Sequence, residues 1–170
     1  MNCVIPILYL VNSIHPGHIE NNDIAQSICF YSKKRNLDPF NVAAIIAHES
    51  GFSYKLRSRT SDIGLMQINE KYIQAKCNPM KINCNIKIGT KRLATIKNAG
   101  DLYGYHWMRR YNWNSKKHYL RVLWIAEAFR KIVIGHSYLI RYIKTRRYQR
   151  LKITLMCIKE DLCGQLRMDV

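Results

Sequence analysis

Acidic residues are scarce in this chain: 11 Asp and Glu stand against 28 Lys and Arg, a formal net charge of +17 at pH 7. The shortage is regional, because Glu127 is the sole acid between Arg109 and Lys152. A surface of that sign seeks polyanions such as nucleic acid, acidic lipid or the anionic polymers of a bacterial wall, and charge alone does not choose among them. Also missing is any apolar run long enough to cross a membrane. No internal repeat and no Pro/Ser-rich linker divides the 170 residues, so a single domain is expected. Six cysteines are present, at Cys3, Cys29, Cys77, Cys84, Cys157 and Cys163, yet none forms a Cys-x-x-Cys pair, which argues against structural zinc. His48-Glu49 lacks the second histidine of a His-Glu-x-x-His zinc site, and the loose pair His15 and His18 flanks Pro16-Gly17 in what reads as a flexible segment. Neither a metal nor a cofactor is expected.

Hydrophobic residues, by contrast, make up 48% of the chain, enough for a core. Cys77 and Cys84 bound a short loop and Cys29 falls on a helical stretch, so one disulfide of Cys84, with Cys77 or with Cys29, suits an oxidising compartment; buried thiols are the alternative. Cys3 to Val11 is apolar but short, contains Pro6 and has no basic residue before it. Residues 1–20 therefore read as a degenerate signal peptide or a buried strand, residues 21–134 as the folded domain, and residues 135–170 as a basic extension.

The periodicity is mainly helical. Ile24, Ile28 and Tyr31 recur at helical spacing from Asp23 to Asn36, with Lys33-Lys34-Arg35 in the last turn. Asp38 reads as an N-cap and Pro39 as the first residue of a helix that carries Val42, Ala43, Ile45, Ile46 and Ala47 and stops at Gly51. Asn85 is expected to cap a further helix, and Ser115 a long one with Tyr119, Val122, Ala126, Phe129 and Val133 inward. Glu49 thus falls in the last turn of a buried helix. Desolvation and the negative end of the helix dipole both disfavour its anion there while the basic neighbourhood favours it, and the first two are the features expected of a general acid.

The neighbours of Glu49 carry a resemblance. Asn36-Leu37-Asp38-Pro39 and Val42 to Phe52, with His48-Glu49-Ser50-Gly51-Phe52 at the end, resemble the start of the SLT-type lytic transglycosylase domain. Ser61 to Asn69, with Gly64-Leu65-Met66-Gln67, resembles its second motif, most of all in the small members attached to type III and type IV secretion systems. Cys84-Asn85-Ile86 with Gly89 and Leu93 resembles the third, and Tyr111-Asn112 with Tyr119 and Val122 the fourth. Where the family usually has a glycine two residues after its tyrosine–asparagine pair, this chain continues with Trp113-Asn114.

The resemblance implies a mainly α, lysozyme-like α+β fold, with a small hairpin region lining a glycan cleft. It implies cleavage of the bond between N-acetylmuramic acid and N-acetylglucosamine, with formation of a 1,6-anhydro ring. Glu49 matches the single acid and base, Ser50, Gly64, Met66 and Gln67 the substrate-binding residues, Tyr111 the tyrosine that orients the acid, and Asn112 a supporting group. The implied partners are peptidoglycan strands and components of a secretion apparatus, for a monomer in the periplasm or outside the cell. Nucleic acid is not expected as a partner. Two alternatives stand beside this reading. Asp62 occupies the place of the second carboxylate of c-type lysozymes, which would make the chain a hydrolase. The motif after Asn112 also allows an inactive relative or a basic module that binds anionic polymers.

Overall fold

The computed structural model describes residues 3–73, 77–95, 113–133, 138–144 and 151–157. Its order is α1 (Val4–Ile14), α2 (Asn21–Lys34), α3 (Pro39–Ser50), β1 (Asp62–Ile63), β2 (Ile68–Asn69), a 3-10 turn (Glu70–Tyr72), α4 (Ile82–Ala94), α5 (Trp113–Val133), β3 (Tyr138–Lys144) and β4 (Leu151–Cys157). This is a mainly helical α+β domain of lysozyme-like class.

Helix α3 is the axis of the core. Every residue from Val42 to Ala47 is fully buried, and α1, α2 and α5 all pack against it. Each buried Val or Ile contributes about 1.5–3 kcal/mol. Its ends follow the sequence closely. Asp38 accepts a hydrogen bond from the Phe40 N–H at 2.8 Å, Pro39 occupies the first turn, and Gly51 closes the helix at φ 58° with its N–H on the Ala47 carbonyl. Arg130 reaches from α5 to Asp38 at 2.6 Å and Asn41 at 2.7 Å, which pins α5 to the N-terminal end of α3.

The N-terminal apolar segment is a helix, not a strand: Ile7, Leu10 and Val11 are fully buried and α1 packs along α2. The Cys3–Cys29 disulfide joins the two helices, with Cα atoms 5.9 Å apart. Cys84 bonds Cys77, at a Cα separation of 6.0 Å, so the alternative pairing of Cys84 with Cys29 is corrected. Two further corrections concern helix starts. Helix α4 begins at Ile82, ahead of Asn85, so Asn85 lies within its first turns and its side chain serves the neighbouring loop instead of the helix end. Helix α5 begins at Trp113, and the fully or nearly buried positions His118, Val122, Ile125, Ala126 and Phe129 form its inner stripe. Within the basic C-terminal stretch, β3 and β4 form an antiparallel hairpin in the register Tyr138↔Cys157 to Lys144↔Leu151.

Candidate active site

The chain reverses sharply just after Glu49. Gly51 and Phe52 both adopt positive φ, 58° and 65°, a conformation that costs about 1–2 kcal/mol in a non-glycine residue. The Phe52 ring is fully buried, and that burial holds the backbone in place. The Ser50 hydroxyl lies 2.8 Å from the Leu65 carbonyl and 3.1 Å from that of Ile46, so it joins the end of α3 to the turn between β1 and β2. The end of α3 that carries Glu49 and the Gly64–Gln67 turn are thereby fastened to one another.

That turn is shaped by Asn85. Its amide NH2 donates to the Ile63 carbonyl at 2.9 Å and the Pro79 carbonyl at 2.8 Å, while its oxygen accepts from the Met66 N–H at 2.8 Å. Gly64 takes φ 72°, and a Cβ there would run into the Asn85 amide. A helical residue with an added Cβ at Gly89 would likewise collide with the Met66 side chain. Gly64 and Gly89 are therefore glycine for close packing: one admits Asn85 and the other admits Met66. Gln67, at φ 45°, folds its amide back to donate to the Gly64 carbonyl at 2.8 Å.

Of the residues singled out from the sequence, Glu49 retains 16% side-chain exposure at the end of α3. Ser50 and Gly64 are buried, and Met66 is 1% exposed, so all three are packed within the protein. Gln67 is half-buried. Tyr111 and Asn112 lie outside the described residues. His15 and His18 stack at 3.5 Å between ring centres, and His15 contacts Asn21 at 3.2 Å; no group of three or more metal-ligating side chains occurs among the described residues.

Asp62 sits on β1 with three side-chain donors. Ser58 and Thr60 donate to Oδ2 at 3.0 and 2.6 Å, and Asn69 donates to Oδ1 at 3.0 Å. Burial pushes this carboxyl up, but the hydrogen bonds from Thr60, Asn69 and Ser58, with the charge of Arg92, outweigh it and hold Asp62 below its ordinary range. Asp62 is accordingly a carboxylate at neutral pH.

One residue at the site is not evident from the motifs. His118 of α5 is 6% exposed, and its Nε2 lies 3.5 Å from Glu49 Oε1. Its ring also meets the His48 ring edge-on, with centroids 4.4 Å apart. The signal available in the sequence is helical phase: stepping back one turn along α5 from Val122 arrives at His118.

Comparison with known families matches the chain to the Transglycosylase SLT domain over residues 26–112, just over half of its length. No curated protein and no solved structure matches. The matched span runs from α2 through α3, the β1–β2 turn and α4, and includes Glu49, Gly64, Gln67, Asn85 and Tyr111.

Proposed function

The chain belongs to the SLT transglycosylase family, a family of enzymes that act on peptidoglycan, and from that premise we propose that it is a lytic transglycosylase in which Glu49 serves as acid and then as base. The Glu49 carboxyl protonates the oxygen that joins C1 of N-acetylmuramic acid to N-acetylglucosamine, and the C1–O bond breaks. The muramyl 6-hydroxyl then bonds to C1 and returns its proton to the Glu49 carboxylate. The ring closes as a 1,6-anhydro sugar, no water is consumed and the carboxyl is restored. One carboxyl group thus performs both proton transfers.

The observation that carries this reading is the placement of Glu49: a largely buried carboxyl, at the end of a helix whose centre, Val42 to Ala47, is fully buried, with the next residue, Ser50, bonded to the Gly64–Gln67 turn. Gln67, Tyr111 and Asn112 are assigned to substrate contact and to orienting the acid, and Ser50, Gly64 and Met66 to shaping the wall. Residues 21–134 are proposed as the catalytic domain, and the positive stretch 135–170 as an accessory that adheres to anionic wall polymer. Two disulfides and a peptidoglycan substrate support a periplasmic or extracellular site of action, by a monomer. Local wall opening for a secretion or pilus apparatus is the process we assign to it.

A second reading is favoured by one observation. Asp62 is held ionised by three side-chain donors, the state that a second catalytic carboxylate requires. The product separates the two. Digestion of peptidoglycan followed by mass spectrometry is expected to show anhydro-muramyl ends, undiminished in Asp62→Asn. Reducing ends that vanish in Asp62→Asn indicate the hydrolase instead.

A further inference from the structure

We propose that His118 is the positioning residue of Glu49, holding its carboxyl through Nε2. The proposal rests on the reading of Glu49 as the acid and adds to it a group from a second helix. Nε2 approaches Glu49 Oε1 to 3.5 Å, and the two side chains are 6% and 16% exposed. An imidazole is costly to bury, and the rest of that stripe of α5, Val122, Ile125, Ala126 and Phe129, is apolar. The one polar member of the stripe is the one that reaches the carboxyl. His48, the neighbour of Glu49 on α3, sets its ring edge-on to that of His118, so the imidazole lies against both residues and its plane is fixed.

A carboxyl that must give up a proton and then accept one at the same place has to keep one rotamer through both steps. The 3.5 Å separation is an ion-pair contact, longer than a made hydrogen bond. A closure of about half an ångström lets an Nε2–H donate to Oε1 and hold that rotamer, and proton transfer then falls to the other oxygen. Poor water access makes this contact stronger than it would be at the surface.

Two substitutions separate donation from shape. His118→Leu keeps an apolar side chain of similar bulk and removes the donor, whereas His118→Gln keeps an N–H at comparable reach. On peptidoglycan, kcat is expected to fall about tenfold or more in His118→Leu with KM changed by less than about twofold, and to recover most of that loss in His118→Gln. Circular dichroism spectra establish that both variants are folded. Independently of activity, the ring nitrogens of His118 are titrated by 15N NMR in wild type and in Glu49→Gln; the two groups titrate as a coupled pair, so removal of the ionisable carboxyl is expected to displace the His118 titration. Wild-type kcat in His118→Leu, equal loss in His118→Gln, or a His118 titration that Glu49→Gln leaves in place overturns the proposal. Wild-type kcat in Glu49→Gln, or no activity in the wild type, sinks the assignment of Glu49 itself, while the NMR titration still reports on the pairing.

Discussion

Asn85 and Gly64 offer a perturbation whose size follows from their geometry. Replacing Asn85 by alanine deletes three hydrogen bonds and leaves the Met66 N–H and the Ile63 and Pro79 carbonyls without that partner. Each group left unsatisfied in a buried place costs about 1–3 kcal/mol, and water that enters the vacated volume recovers part of it, so Asn85→Ala is expected to cost about 3–5 kcal/mol. Gly64→Ala carries two costs: about 1–2 kcal/mol for a left-handed residue that is no longer glycine, and the displacement of the Asn85 amide. The second cost disappears when Asn85 is already alanine, because the atoms that the new Cβ would meet first are gone. The double mutant is therefore expected to be more stable than the sum of the single changes predicts, with a coupling of about 1–3 kcal/mol. Urea unfolding of the four proteins, followed by circular dichroism, measures it. Additive losses would show that Gly64 is not glycine on account of Asn85.

The two disulfides differ in the loops they close. Loss of Cys3–Cys29, at a sequence separation of 26, is expected to cost about 3.5 kcal/mol, and loss of Cys77–Cys84, at a separation of 7, about 2.4 kcal/mol on the chain-entropy account; paired Cys→Ser variants in a thermal melt give the order. Asp62 makes stability depend on acid pH. Its folded pKa is depressed, so its contribution is fully present above the ordinary carboxylate range and is lost as pH falls through the lower, folded value. Melting temperatures between neutral and strongly acid pH are expected to fall less steeply in Asp62→Asn than in wild type, and parallel curves would contradict the assignment.

The central helix was legible because local rules and burial agree there. Asp38, Pro39 and Gly51 mark its ends, and the apolar run between them has no face left for solvent. The departures are those of tertiary context. Asn85 carries the side chain of a good N-cap, but α4 starts three residues earlier, and its amide is spent on a loop that is distant in sequence. Cys3 gives no hint of its partner until α1 is known to be a helix lying on α2. At the site, the carboxyl and the turn facing it announce themselves through motif spacing, whereas His118 is recognisable only from the phase of a helix whose partner is far off in the chain. Gly64 and Met66 illustrate a related difference. Motif residues suggest contact with substrate, and the packing gives Gly64 to Asn85 and Met66 to Gly89.

Glu49 remains the residue on which the account turns. The most direct measurement is mass spectrometry of muropeptides released from purified peptidoglycan by the wild-type protein and by Glu49→Gln, which keeps the size of the side chain and removes its exchangeable acid proton. The account predicts 1,6-anhydro-muramyl products from the wild type, each lighter by one water than its reducing counterpart, and a loss of release of about a hundredfold or more in the variant. Equal release by the two proteins would contradict it.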